Sequence, residues 1–371
     1  MEFSFTEEQE LLRKTARDVL QRESPTSLVR EMEESAQGYS PELWRTMAGL
    51  GWLGLPLPEA HGGAGGSFLD LAILLEELGR ALAPVPFFSS VVLGGLPIAR
   101  FGSDAQREAI LPTLATGDAM LTFALMEPFS TFGAQAVKAT VTRVDGGFRL
   151  TGQKAFVENA HTATHILCPA RLDDGVGVFI VDGESEGLSK EQLTPISLER
   201  MWDLSLTDVF VPENRLLGSA ETGASIVKQT LRWAIAGQCA QSLGGAQSML
   251  ERTVEYAKQR VQFGKPIGSF QAVQHHAANI YSDVETIRLI AYEAVWLLSE
   301  DRPCDEEVAM AKAWVSTAYP RLTRTCIQIH GGVGLSKEVD AQLYFRRAKA
   351  WEPLFGSVDH HRERIAQGMK P

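Results

Sequence analysis

Cysteine is scarce and scattered in this chain: Cys168, Cys239, Cys304 and Cys326 form no CxxC pair and have no histidine at zinc-finger spacing. That excludes a disulfide scaffold and a zinc module, and it fits reduced thiols in a cytoplasm. An excess of positive charge is also missing. The formal net charge is −11, and a general grip on nucleic acid needs a basic face to displace counterions from phosphates. An anionic ligand therefore needs local Arg or Lys. No hydrophobic run is long enough to span a bilayer; the least polar, Phe87 to Ala99, is too short and too interrupted, so no membrane insertion is expected. No charged-then-apolar leader precedes Phe3, so nothing suggests export. His275-His276 and His360-His361 look like metal pairs, but neighbours on a helix point about 100° apart, and no metal site is expected. Internal repeats and low-complexity segments are absent. What is present is 371 residues, 44% hydrophobic and 22% charged, which is the composition of a soluble globular protein with two or three domains.

The periodicity divides the chain into three. From Thr6 to about Gly117 it reads as helices with polar links. Thr6-Glu7-Glu8-Gln9 is a capping box, and Ser40-Pro41 opens another helix with proline at its first position. Ser67 to Arg80 is amphipathic, with Leu71, Leu74, Leu75 and Leu78 on one stripe. The run His61-Gly62-Gly63-Ala64-Gly65-Gly66 before it lacks the Gly-Lys-Ser/Thr ending of a phosphate loop and reads as a flexible interhelix loop. Between Ala119 and Gly218 the period becomes alternating. Val137, Ala139 and Val141 face one way, Asp145-Gly146-Gly147 turns the chain into Phe148-Arg149-Leu150, and Val176 to Val181 and Thr207 to Val211 add strands. From about Glu221 long helices return: Leu243, Ala246, Leu250, Val254, Ala257 and Val261 step by three and four, and Tyr281 to Ser299 and Glu306 to Ile329 continue the block. The expected fold class is α+β, with a helical domain over 1–118, a middle antiparallel β domain over 119–220 and a four-helix bundle over 221–371.

Two runs in the last block carry chemistry. Gln328-Ile329-His330-Gly331-Gly332-Val333-Gly334 offers an amide side chain and three glycines, so a helix end can bend sharply and its backbone can approach a ligand closely. Alone, that run also reads as a glycine-rich cap between helices. Tyr256-Ala-Lys-Gln-Arg260-Val-Gln-Phe263-Gly264-Lys-Pro-Ile267-Gly-Ser-Phe270-Gln271 resembles the YxxxRxxFGxxIxxxQ motif of the acyl-CoA dehydrogenase family, and QIHGGVG resembles that family's QxxGGxG. Pro58-Glu59-Ala60-His61-Gly62-Gly63 is similar to its PExxGG and Val209-Phe210-Val211-Pro212 to its FxxVxVP, so the resemblance runs along nearly the whole chain.

The resemblance implies an FAD enzyme that desaturates an acyl-CoA thioester between its α and β carbons and passes electrons to an acceptor such as an electron-transfer flavoprotein. It further implies that FAD lies across a subunit interface. Arg260, Phe263, Phe270, Gln271, Gln328, Gly331 and Gly332 would then meet the adenosine-diphosphate half of a neighbour's flavin, with Arg260 as a charge-assisted fork to the pyrophosphate and Phe263 as an aromatic wall. On the ring side the implied contacts are Met126, Phe156, Val157 and Ser357.

The departures from the family pattern concern the reacting end. The family takes the α proton with a carboxylate, and counting from Gln328 without gaps places Phe355-Gly356-Ser357 on its Glu-Gly-Thr. Some branches instead place the acid in the preceding long helix, where this chain has Ala234 and Ile235. The Cys-x-Thr-Glu-Pro segment reads Ala124-Leu125-Met126-Glu127-Pro128, Gly-Ser-Asp reads Phe132-Gly133-Ala134, and Trp-Ile-Thr reads Phe156-Val157-Glu158. A carboxylate at Glu158 near the ring would disfavour a reduced, anionic flavin. The adenosine half-site thus reads as intact and the ring half-site as altered. This resembles the degenerate subunit of heteromeric acyl-CoA dehydrogenases, paired with a second family chain. Two alternatives stand beside it: a self-sufficient homomer with Glu352 as a displaced base, and a non-catalytic scaffold or regulatory subunit.

Overall fold

The structure, a computed structural model, describes residues 4–130 and 132–368; Phe3 lies outside them. The chain forms two compact units that do not follow chain order. One comprises Met1–Glu31, Phe68–Pro84 and Ile235–Pro371, the other Met32–Ser67 and Val85–Ala234. No described helix is long and apolar enough to cross a membrane.

The first unit is helical. Helix α1 (Glu7–Glu23) starts at the expected capping box: Thr6 accepts from the Gln9 N–H while the Gln9 side chain accepts from the Thr6 N–H. Helix α2 (Thr26–Glu34) follows after a two-residue break, and α3 (Pro41–Gly49), in the second unit, is capped by Ser40 as expected. Helix α4 (Phe68–Ala81) departs from the amphipathic reading. Ile73, Glu76 and Glu77 are as buried as the leucine stripe, so it is a core helix with two carboxylates inside. Its partner is α7 (Gly223–Gln259). A Cβ on Gly79 would sit 2.0 Å from the Gln241 carbonyl oxygen, and one on Gly244 would sit 1.8 Å from that of Glu76. Only glycine allows backbones to meet this closely. The unit is completed by α8 (Gln271–Ser299), α9 (Asp305–His330), α10 (Ala341–Trp351) and α11 (Val358–Gly368). The C-terminal block is therefore three long helices and two short ones, rather than four long ones. Val261 does not extend the α7 stripe, because the helix ends at Gln259.

The buried carboxylates are paired differently. Arg17 forks onto Glu77 at 3.0 and 2.6 Å. Glu76 accepts from the Tyr292 hydroxyl at 2.6 Å and lies 3.4 Å from Arg288. Burial nevertheless raises the Glu76 carboxyl above its ordinary value, against the pull of Tyr292 and Arg288. A carboxyl whose folded pKa exceeds its unfolded one holds its proton more tightly when folded, so its contribution to stability falls as pH climbs above the ordinary carboxylate value. Glu76→Gln keeps an oxygen for Tyr292 and removes the charge. It is expected to match the native protein in urea unfolding near pH 4 and to exceed it by about 1 kcal/mol at pH 8; equal destabilisation at both values would show that the Arg288 pair dominates.

The second unit is built on a sheet ordered β6-β7-β3-β2-β4-β5-β8, with β1 beside β4. The strands are β1 (Leu121–Phe123), β2 (Thr140–Val144), β3 (Gly147–Glu158), β4 (His165–Leu172), β5 (Gly175–Asp182), β6 (Leu188–Leu193), β7 (Met201–Pro212) and β8 (Leu216–Leu217). The β2–β3 hairpin turns at Asp145-Gly146, as read from the sequence. Pairing is antiparallel except where β1 and β2 meet β4 in parallel. Phe148, Leu150, Phe179, Val181, Leu204 and Val209 fill the core of this sheet. The glycine run at Gly62–Gly66 is not a free loop. The N–H groups of Gly63, Ala64, Gly65 and Gly66 donate to the carbonyls of Pro58, Gly54, Leu57 and Leu55, which leaves none of those four for a phosphate.

Candidate functional site

The helical unit brings the two glycine- and arginine-bearing motifs together. Beyond α7 the chain makes a hairpin, β9 (Val261–Gln262) with β10 (Lys265–Pro266), whose two-residue turn is Phe263-Gly264. Both turn residues have positive φ, +53° and +79°, the signature of a type I′ turn. Glycine adopts this freely, whereas phenylalanine is strained there by about 1 kcal/mol. Phe263 is also 92% exposed, so neither backbone preference nor burial explains it. Its ring meets Phe270 edge-on at 6.1 Å, and the Lys265 ammonium lies 4.4 Å from the centre of the Phe270 ring. Phe263→Asn, which creates the favoured Asn-Gly turn, is expected to slow hairpin amide exchange about fivefold, equivalent to ~1 kcal/mol. Faster exchange would mean that the aromatic edge contact outweighs the strain.

Arg260 stands at the root of this hairpin. Its N–H and carbonyl are used by Tyr256 and Ile267, while its exposed guanidinium has no hydrogen-bond or ion-pair partner among the described residues. The glutamates that would neutralise it are engaged elsewhere, Glu251 with Arg80 and Glu255 with Gln259. Gln271 begins α8, and Phe270 gives that helix no side-chain cap. A free guanidinium thus sits in the same motif as an uncapped helix N-terminus, and both favour an anion.

Tyr256 ties this motif to the glycine turn. Its ring stacks on His330 at 4.4 Å and its hydroxyl donates to the His330 carbonyl at 3.3 Å. Gly331 ends α9 with φ +69°, folding its N–H back onto Gln328 and Ile327. The outer face stays open: Gln328 is exposed, and a Cβ on Gly331 or Gly332 would meet nothing within 4 Å. The donor set of this cluster fits a nucleotide pyrophosphate with an aromatic neighbour.

The same unit holds the segment where a base was expected. Lys312, fully buried on α9, donates to the Gln238 side chain at 2.6 Å and to the Trp351 carbonyl at 2.9 Å. Burial lowers its ammonium to about 8. His361, buried and pushed down to about 3 by desolvation, is neutral and donates from Nε2 to the Phe355 carbonyl at 3.0 Å. Phe355 is held at φ +57°, and a side chain on Gly356 would strike His361. Glu352 pairs with Lys349, and the Ser357 hydroxyl accepts the N–H of His360 at the start of α11. Ala234 and Ile235 are buried and apolar.

In the sheet unit, Met126 and Phe156 lie on joined segments, since the Ala155 N–H donates to the Met126 carbonyl at 2.9 Å. Phe156 sits in a bulge at φ +55°, half-exposed, with its N–H given to Asp203 at 3.1 Å. Val157 is 1% exposed; its side chain belongs to the sheet core, so only its backbone could face a ring. Sequence reasoning missed what holds this region. Lys154 and Glu127 form a buried pair at 2.6 Å, and Trp202 donates to His161 Nδ1 at 3.1 Å while His161 meets the Gln37 carbonyl at 2.9 Å. Lys154 shares the inward parity of Phe148 and Leu150, which was the available signal.

The sequence patterns of the acyl-CoA dehydrogenase N-terminal and C-terminal domains match residues 6–118 and 221–370. The chain is 32% identical over 377 residues to the caffeyl-CoA reductase–Etf complex subunit CarC of Acetobacterium woodii, with 98% of each covered. Among solved structures it is similar to the ChsE4–ChsE5 complex from Mycobacterium tuberculosis, with TM-score 0.93, 32% identity and 100% of each chain covered. It is also similar to PigA with FAD and proline, with TM-score 0.92, 26% identity and 100% and 99% coverage. The chain belongs to the acyl-CoA dehydrogenase family, flavoprotein oxidoreductases that use FAD and act on a CH–CH bond.

Proposed function

We propose that this chain is the flavin-completing subunit of a heteromeric acyl-CoA dehydrogenase, in which a second family chain carries the base. The observation that carries this reading is the contrast within one unit. The Arg260 guanidinium and the Gln328 side chain have no partner among the described residues and Gly331 and Gly332 leave open space beside them, whereas the base position is Phe355, fixed in place by His361. Glu352, the one displaced candidate, is engaged by Lys349. A lost general base lowers the rate by about 10²–10⁴-fold, too much for a homomer to act efficiently. A solved relative composed of two different chains, ChsE4 and ChsE5, supports the arrangement.

Bound FAD supplies the hydride acceptor. This chain's residues would hold the adenosine end: Arg260 the pyrophosphate, Phe263 and Phe270 an aromatic face, Gln328 and the glycines a close backbone edge. The α proton would leave to a carboxylate on the partner, and the electrons to an electron-transfer flavoprotein. The three successive segments 1–118, 119–220 and 221–371 would act as the domains, in the cytoplasm. Co-expression with a family chain that carries glutamate at the Phe355 position tests this. We expect co-purification, about one FAD per pair and bleaching on addition of an acyl-CoA; a chain that is yellow and bleaches when purified alone would overturn it.

A further inference from the structure

The helical unit contains a cavity of about 280 Å³ that shares no residue with the Arg260 cluster or the Phe355 segment. It lies where α1 ends and α2 begins, and three arginines, Arg17, Arg80 and Arg252, line it in a chain of net charge −11. Each is oriented by a carboxylate without being used up. Arg17 forks onto Glu77 through Nε and Nη2, and Arg80 onto Glu251 through Nη1 and Nη2. Arg252 gives Nη1 to Asp340 at 2.7 Å and Nε to the Ser248 hydroxyl at 3.3 Å. That leaves Nη1 of Arg17, Nε of Arg80 and Nη2 of Arg252 without an acceptor among the described residues.

Three further donors belong to the same junction. Ser24 lines the cavity, is 4% exposed, and its hydroxyl has no hydrogen-bond partner among the described residues. Buried hydroxyls are rarely left unpaired, because desolvation without a bond costs roughly 1–3 kcal/mol. Helix α2 is nine residues long with no acidic residue in its first turn. The N–H groups of Leu28 and Val29 return to Pro25, but those of Thr26 and Ser27 meet no acceptor among the described residues. Helix N–H groups, a hydroxyl and guanidinium nitrogens together supply more donors than a planar carboxylate can use, and a tetrahedral oxyanion can accept them from several directions.

We propose that this cavity at the α1–α2 junction is a binding site for a phosphate group, separate from the site of the redox reaction. An adjoining cavity of about 520 Å³ shares Arg17, Arg80 and Glu251 with it and is faced by Phe5, Tyr292 and Trp296. An aromatic group carried on the phosphate therefore has a place to lie.

The test is calorimetric titration of the full chain with inorganic phosphate and, separately, phenyl phosphate, against chloride at matched ionic strength. Saturable binding is expected. Arg252→Met should weaken it by about 10–100-fold, the loss of a charge-assisted bond, and Ser24→Ala by about 3–10-fold, that of a neutral one. Because the buried Ser24 hydroxyl has no partner among the described residues, S24A should not lower the phosphate-free melting temperature and should raise it if anything, which keeps the test valid if R252M folds poorly. Tighter binding of phenyl phosphate would identify a phosphomonoester as the occupant, and equal binding free phosphate. A response no greater than that to chloride, or binding unaffected by S24A and R252M, would overturn the site.

Discussion

Glu127→Gln is expected to destabilise the protein by about 3–5 kcal/mol, the cost of leaving a buried charge without its partner. The Lys154 and Glu127 side chains are 0% and 4% exposed and meet at 2.6 Å. Glu127 is satisfied on both oxygens. Oε1 accepts from Lys154 and from the Ala139 N–H at 3.0 Å, and Oε2 from the Lys138 N–H at 2.7 Å. Among the described residues Lys154 has one other acceptor, the Pro169 carbonyl at 2.6 Å. The consequences of removing either partner therefore differ. In E127Q the ammonium keeps only neutral acceptors. In Lys154→Met the carboxylate keeps two backbone donors, so that variant should lose less. The double variant should lose less than the two singles combined, since the pair is one interaction. Denaturant unfolding measures all three, and an E127Q within 1 kcal/mol of the native protein would remove the pair from any role in the fold.

The same pair braces the segments that carry Met126 and Phe156. Glu127 lies next to Met126, whose carbonyl takes the Ala155 N–H, and Lys154 lies next to Ala155 and Phe156. The pair thus locks two segments together from behind.

How much of this was readable from sequence depended on the range of the interaction. Thr6 and Gln9 act within one helical turn, and Asp145-Gly146 within one hairpin, so both were legible. Strand β4 was not: its centre is buried on both faces, which erases alternation, and Pro169 within it argues against a strand. Val261 continued the helical spacing, but the hairpin imposed by Gly264 and Pro266 ended the helix two residues earlier. The burial of Glu76 and Glu77 was not legible, because their partners, Tyr292 and Arg17, are far away in the chain. At the site, the resemblance of two local motifs pointed to Arg260 and Gln328, while the Tyr256–His330 stack between those motifs spans 74 residues.

Arg260→Ala should weaken FAD retention in the heteromer by about 10–100-fold, as expected for a charge-assisted fork worth roughly 1.5–3 kcal/mol. The structure makes this variant unusually easy to interpret. The Arg260 guanidinium is exposed and has no partner among the described residues, so its removal leaves no buried group unpaired. The cofactor-free complex should melt as the native one does. The carbonyl and N–H that hold the hairpin root are backbone groups and survive the change. Arg260→Lys should fall between the two, because an ammonium keeps the charge near the uncapped α8 N-terminus but cannot fork onto two oxygens. The native-to-alanine difference should shrink with added salt, as expected for an exposed charge acting on a phosphate. FAD content after gel filtration, measured across the three variants at two salt concentrations, separates the outcomes. Retention by R260A within twofold of native would place the pyrophosphate elsewhere, and the shared-flavin reading would fall with it.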